Sequence, residues 1–353
     1  IIFDEMQKIK SIKSMMTQTA QSLNGEFIVG LTGTPIENSL ADIWTLFDTL
    51  MPGALGWGDL KSFVTNFTMD EPGRLKELKA LLQNGERDKA PPMLRRMKHE
   101  VATDLPKKIE NVLDVEMPKE QADQYQLAVS LGVNAKKKGD KRDAFQRMRG
   151  ISLHPFYPDT DDAGDGESYV AQSARLKSCI ELLDKIKAAE EKALIFIESI
   201  AMHEWLSFYL KQRYKLERTP DRIYGDISPL ARTDIVSRFQ DPAREGKFDV
   251  LLLSPKAAGV GITLTAATHV IHLSRWWNPA VEDQCTDRAY RIGQTKDVNI
   301  YIPRAIHPLY GHGSFDCVLH DLLARKRDLS KEMLIPMETG DELNSFFGES
   351  DDE

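Results

Sequence analysis

Three short stretches carry residue types that can do chemistry. The first is Asp4-Glu5, which closes the apolar run Ile1–Phe3. The carboxyl end of a strand is where open α/β sheets bind ligands. There one carboxylate can hold a magnesium ion, directly or through water, and the next can orient or activate an attacking water. A solvated surface pair reads the same on residue type alone. The second is Leu31-Thr32-Gly33-Thr34-Pro35-Ile36-Glu37-Asn38, a small hydroxyl-rich turn after a second apolar run, Phe27–Leu31. Such a turn can bridge a nucleotide site to a neighbouring surface; the bland alternative is an ordinary Gly-Pro turn. The third is Gln284, Arg288 and Arg291, spaced i, i+4, i+7 in a stretch that reads as helix over Ala280–Arg291. That spacing predicts one shared face. Two guanidiniums there suit a polyphosphate, since each offers planar bidentate donors. The competing reading is a solvated basic face paired with Glu282 or Asp287.

Weaker signals surround these. Phe248–Leu253 ends in Ser254 and runs into Pro255-Lys256-Ala257-Ala258-Gly259-Val260-Gly261, where glycines let a ligand or another backbone approach. Ser274-Arg275-Trp276-Trp277-Asn278-Pro279 sets paired tryptophans at a strand end, where they can press on a nucleic-acid backbone or pack under a loop. Packing is the role expected of Trp276. Of the basic groups, Arg95, Arg96 and Lys98 are the better phosphate candidates. Lys136, Lys137, Lys138, Lys141, Arg142, Arg147 and Arg149 read first as a solvated helix face, with phosphate contact as the alternative.

The elements that must position these residues follow from periodicity. Helical spacing over Ala41–Phe67 breaks near Met51-Pro52-Gly53, and Leu75–Leu82 reads as another helix. Ile109–Val115 is strand-like, and Leu127–Met148 reads as a polar helix pair. Tyr157–Glu167, with a proline, two glycines and several acids, is expected to be an exposed loop. Beyond it helices alternate with strands: Ser173–Ala188, Ala193–Glu198, His203–Arg213, Arg222–Tyr224, Leu230–Phe239, Phe248–Leu253, His269–Leu273, Ala280–Arg291 and Val298–Ile302. That alternation means a parallel sheet covered on both faces, an α/β fold. The domains expected are 1–115, 116–335 with a helical insertion, and an acidic tail, 336–353.

The totals fit a globular protein with a real core: 353 residues, 41% hydrophobic and 28% charged. No apolar run long enough for a membrane span occurs. Cys179, Cys285 and Cys317 are scattered, so reduced thiols are expected rather than a disulfide or zinc framework. A net charge of -8 argues weakly against nucleic-acid binding, but a local basic stripe suffices for that.

Taken in order, Asp4-Glu5-Met6-Gln7, Leu31–Asn38, Lys192–Ser199, Leu253–Thr265, Trp276–Pro279 and Gln284–Gln294 resemble motifs II to VI of SWI/SNF-family ATPases. Leu94–Lys98 with Leu105–Lys108, His154-Pro155 with Ala174–Leu176, and Phe315-Asp316 with Leu322-Leu323 extend the likeness over roughly residues 1–335. The resemblance implies two RecA-like lobes with helical protrusions, ATP bound in the cleft between them and double-stranded DNA lying across both. It implies ATP and Mg²⁺ as cofactors, and translocation on duplex DNA without obligatory strand separation. Asp4 would hold magnesium through water, with Glu5 beside it, and Arg288 and Arg291 would be arginine fingers. Gln284, Gly259, Gly261, Thr32 and Gly33 would meet the nucleotide. Lys256, Trp277, Asn278, Thr34, Arg95, Arg96 and Ser199 would meet DNA. The alternatives are a fragment that binds DNA or a partner without turnover, and an RNA or restriction-type motor. A monomer is expected, open to protein partners, in the cytoplasm, at the nucleoid of a prokaryote or in a eukaryotic nucleus.

The sequence departs from the family at Met6 and Gln7, at Ser274-Arg275 where an acidic-Pro pair is usual, and at Tyr290 where His is common. No Gly-x-x-x-x-Gly-Lys-Ser/Thr occurs. That loop is expected upstream of Ile1, and the chain by itself is expected to be inactive.

Overall fold

A computed structural model describes residues 1–33, 40–55, 58–68, 72–84, 91–96, 98–102, 104–135, 137–157, 166–258 and 261–333. The chain forms two compact units, one built on Ile1–Val101 and the other on Ala102–Leu322.

In the first unit β1 (Ile2–Phe3) pairs in parallel with β2 (Val29–Gly30). The helices are α1 (Met15–Ser22), α2 (Leu40–Leu50), α3 (Leu60–Thr68), α4 (Pro72–Asn84) and α5 (Lys98–Val101). α2 is apolar on two sides and is buried on both. Leu40, Ile43 and Phe47 pack with Phe63, Phe67, Leu78 and Leu82 of α3 and α4. Leu46 joins Met6, Ile9 and Ala20. Gly30 lets β2 approach that cluster, since a Cβ there would stand 2.1 Å from Met6 Sδ. The break after α2 falls where the sequence places it, with Gly53 at φ +76°.

The second unit is a six-stranded, wholly parallel sheet. Its strands are β3 (Lys108–Glu116), β4 (Lys192–Phe196), β5 (Asp221–Ile223), β6 (Asp249–Leu253), β7 (His269–His272) and β8 (Val298–Ile306), in the order β3-β8-β7-β4-β6-β5. Its helices are α6 (Lys119–Val133), α7 (Lys138–Leu153), α8 (Gly166–Ala171), α9 (Ala174–Ala188), α10 (Ile200–Tyr214), α11 (Pro229–Gln240), α12 (Pro255–Ala258), α13 (Pro279–Thr286) and α14 (Phe315–Met333), the last beginning in this unit. The central strands are buried throughout, as parallel strands covered on both faces must be. Strand alternation divides the core. Ile195 and Leu252 face a layer with Leu183 of α9 and Leu206 of α10. Leu194, Phe196 and Leu251 face a layer with Phe239 of α11 and Cys285 of α13.

The α/β class read from the sequence is the class found. The boundary expected at 115/116 is not. β3, placed with the first domain, pairs in register with β8 along all nine of its residues, and the units divide between Val101 and Ala102. Among the described residues no helix is long and apolar enough to cross a membrane.

Two buried histidines make the second unit acid-sensitive. His154 accepts from Phe156 N through Nδ1, and its Nε2 faces Tyr169 O at 3.0 Å. His203 Nε2 meets Ile197 O at 2.8 Å, while its Nδ1 is buried without a partner. Burial pushes both down to about 4, so both fold as neutral imidazoles. The unfolded chain binds their protons near pH 6.5 and the folded chain only near 4. Their stabilisation is therefore complete above about pH 6.5 and is lost as pH falls towards 4, on the order of 3 kcal/mol each. A melting temperature that declines steadily from pH 7 to pH 4.5 is expected; a flat profile to pH 5 would contradict it.

Candidate functional site

The first unit presents its candidate residues around the end of β1. Asp4 is exposed and Glu5 half-buried. Glu5 N donates to Asp4 Oδ1 at 2.9 Å, and Glu5 holds the left-handed conformation, φ 51°, ψ 46°. For a residue with a Cβ that conformation costs about 1 kcal/mol. Strain of this kind collects at functional positions. Gln7, buried behind the pair, donates through Nε2 to Glu5 Oε2 at 2.5 Å. Thr32 Oγ1 donates to Gln7 Oε1 at 2.6 Å. A relay Glu5–Gln7–Thr32 thus ties the carboxylate pair to the Thr-Gly turn. On sequence Gln7 is a departure without consequence; its burial between two polar partners shows what it does. Gly33 is exposed with open space where a Cβ would stand, so packing among the described residues does not ask for glycine. Thr34 lies outside the described residues. Arg95 is half-buried and Arg96 exposed, in a segment without regular structure.

In the second unit β4 and β7 are neighbours, yet the helices that follow them, α10 and α13, pack on opposite faces of the sheet. Their carboxyl ends therefore flank a topological switch point, where such sheets bind ligands. Glu198-Ser199 leaves β4, Ser254–Lys256 leaves β6, and Ser274–Asn278 leaves β7, all at this edge. Two of these residues cap helices. Ser199 Oγ accepts from Met202 N at 3.2 Å, and Asn278 Oδ1 accepts from Ala280 N at 3.0 Å.

The tryptophans divide their roles differently from the sequence expectation. Trp277 stacks on Phe145 of α7 at 5.0 Å and meets Phe315 of α14 edge-on at 5.8 Å. Trp276 lies between Arg149, 6.0 Å from its ring centre, and exposed Lys256, 5.7 Å away. Arg149 also stands 5.7 Å from the centre of the Trp277 ring, so both tryptophans meet this cation, Trp277 packing as well and Trp276 also meeting Lys256.

Below this edge lies a small polar cavity whose lining includes Arg149, Tyr157, Arg175, Glu198, Ser274 and Arg275. Arg149 pairs with Glu198. Burial pulls the guanidinium of Arg149 down while Glu198 pushes it up; burial and then Glu198 raise the Tyr157 phenol. Arg275 is bidentate to Glu282, at 2.5 and 3.0 Å. That pairing accounts for the unusual Arg275: its buried charge has a fixed partner seven residues on.

Arg288 and Arg291 do not share a helix face. α13 ends at Thr286, with Asp287 as its C-cap. Past Asp287 the bonds tighten to i→i−3, Arg288 N donating to Cys285 O at 3.2 Å and Ala289 N to Thr286 O at 3.1 Å, while Leu264 N donates to Arg288 O at 2.8 Å and Gln294 Nε2 to Ala289 O at 3.2 Å. Gln294 also donates to Thr265 O and Ala267 O, each at 3.0 Å, so it clamps the turn to the stretch after Gly261. Arg288 is buried, 7% exposed, with Nη1 3.5 Å from Ile262 O. Arg291 is exposed, and Gln284 half-buried. Gly261 is exposed with open space at its Cβ position; Gly259 lies outside the described residues. Arg149, Glu198 and Gln294 stood outside the sequence reading of the site. Arg149 had a signal there, as the last arginine of a basic helix directly preceding Gly150.

Residues 1–155 match the family model of the SNF2-related domain, and residues 174–293 that of the helicase conserved C-terminal domain. The Zorya protein ZorD of Escherichia coli O139:H28 is 35% identical over 361 residues, covering 95% of this chain and 31% of ZorD. The chain thus spans about a third of the length of the curated relatives it matches. A solved Sulfolobus solfataricus SWI2/SNF2 ATPase core in complex with dsDNA is 30% identical with a TM-score of 0.53, covering 98% of this chain and 70% of that one. The C-terminal domain of a Sulfolobus solfataricus SWI2/SNF2 ATPase is 26% identical, TM-score 0.50, covering 67% of this chain and 93% of that one. With its motifs in order on these two units, the chain belongs to the SWI2/SNF2 family of ATPases.

Proposed function

We infer that the full-length protein hydrolyses ATP and uses the cycle to move along double-stranded DNA without separating the strands. The observation that carries this reading is the relay Glu5–Gln7–Thr32. It couples a strained carboxylate at a strand end to a turn whose continuation, Thr34, is a candidate DNA contact, so a change at one end of the relay is felt at the other. The donor set suits magnesium: Asp4 is an exposed oxygen ligand, and such ions take one or two carboxylates together with phosphates. Magnesium, when bound with ATP, neutralises phosphate charge. Glu5 orients the attacking water, and Gln7 holds Glu5 in its strained conformation. Arg291, exposed where its turn begins, is the guanidinium that meets phosphate; Arg288 sets the turn's position from below.

Duplex DNA as the track is supported by the edge of the second sheet, where Lys256 and Arg149 flank Trp276, and by the archaeal core that was solved with dsDNA. Contacts of this type read the backbone, so binding is steeply salt-dependent and nearly sequence-independent. The test follows a third strand laid on a duplex. A motor moving along the duplex strips that strand when ATP is present and leaves the duplex closed. A protein that only binds leaves the third strand in place.

A further inference from the structure

α7 carries more than the packing of its apolar side. Arg142, Gln146 and Arg149 lie at i, i+4 and i+7, on one face of the helix. Asp140, Asp143 and Arg147 lie round the other side, so the acids of the helix are kept off that face. Arg142 and Gln146 are exposed. Arg142 makes no ion pair among the described residues, and Arg149 is the end of the row that touches the sheet edge.

At that end the row is continuous with the edge residues. Arg149 stands 6.0 Å from the centre of the Trp276 ring and Lys256 5.7 Å from the same ring. The two cations are therefore at most about 12 Å apart, close enough to act on one stretch of duplex backbone. Glu198 holds Arg149 in this position, and Phe145, on the adjoining side of α7, is stacked on Trp277. The helix is thus fixed to the sheet edge by an aromatic stack and an ion pair. On residue order alone this basic run reads as a solvated face. The segregation of its charges and its attachment to Trp276 argue for a ligand of opposite charge.

We propose that the Arg142–Gln146–Arg149 face of α7 is a second line of phosphate contact, which extends the Lys256–Trp276 edge along the backbone of duplex DNA. This rests on the reading of duplex DNA as the track. Phosphate contacts set register and affinity and carry no sequence information, so Arg142 acts on affinity and salt dependence alike for every sequence.

The experiment is a salt titration of the full-length protein on a labelled duplex, by anisotropy, for wild type, Arg142→Gln, Arg147→Gln and Lys256→Gln. Arg142→Gln is expected to weaken binding about threefold to tenfold at low salt and to flatten the plot of log affinity against log salt by about one unit. Arg147→Gln, on the other side of the same helix, leaves the slope at its wild-type value. Melting temperature is unchanged in both, since each side chain is exposed. If Arg142→Gln keeps the wild-type slope while Lys256→Gln flattens it, the α7 line is wrong and the duplex reading stands. If Arg147→Gln matches Arg142→Gln, the effect is net charge and the α7 line is wrong. If neither Arg142→Gln nor Lys256→Gln alters binding, the duplex track itself is wrong, and the α7 line falls with it.

Discussion

Arg291→Ala in the full-length protein is expected to lower duplex-stimulated ATP turnover by about 10³- to 10⁵-fold while leaving the melting temperature and nucleotide-free DNA affinity close to wild type. Charge builds on the phosphoryl oxygens during transfer, and a guanidinium that meets it offers planar bidentate donors. Arg291 is exposed, so its removal strands no buried group. Lysine at this position does not restore turnover, because it lacks the planar fork. Arg288→Ala should behave differently. Its side chain is buried and reaches towards Ile262 O, so its loss should lower stability as well as activity. Steady-state turnover and a melting curve on the two variants separate these outcomes. Near-normal turnover in Arg291→Ala would remove it from the chemistry.

The second large effect lies under the sheet edge. Arg175 and Asp316 form a buried ion pair. Arg175 also donates to Leu273 O at 3.0 Å, and Asp316 also accepts from Ala305 N at 2.7 Å. The pair therefore ties α9, the end of β7, β8 and α14 together. Removing one partner leaves a buried charge uncompensated, at a cost of about 3–5 kcal/mol. Arg175→Met or Asp316→Leu should each lower the unfolding free energy by that much, measured by denaturant titration. The double variant should lose less than the two singles added together, because no orphaned charge remains. Strict additivity would show that the two groups do not act as a pair. Leu273 leads directly into Ser274–Asn278, so the single variants should also loosen the Trp276 edge and weaken duplex binding.

What the sequence made legible follows from the range of the forces involved. The runs Ala193–Glu198 and Phe248–Leu253 read as buried parallel strands because their apolar character is local, and the strands found are Lys192–Phe196 and Asp249–Leu253. The break after α2 was legible because Met51-Pro52-Gly53 punctuates it. β3 also read as a strand, but alternation says nothing about a strand's partner, and β8 lies far along the chain. The helix expected over Ala280–Arg291 stops at Thr286, after which the bonds tighten to i→i−3 and the turn is tied by Leu264 N to Arg288 O and by Gln294 Nε2 to Ala289 O. Those donors are distant or fold back, and no helical periodicity encodes them. The same holds for the site. Asp4-Glu5 and Thr32-Gly33 were visible as types, whereas the Gln7 relay appears only when β1 and β2 lie side by side. Arg175–Asp316 depends on partners at opposite ends of the second unit.

The central claim is that ATP drives this protein along a closed duplex. The most direct measurement is release of a labelled third strand from a DNA triplex by the full-length protein, with the duplex strands followed by a second label. The expected result is release that requires ATP, stops in Arg291→Ala and leaves the duplex strands paired. ATP turnover without third-strand release, or release accompanied by separation of the duplex, would contradict it.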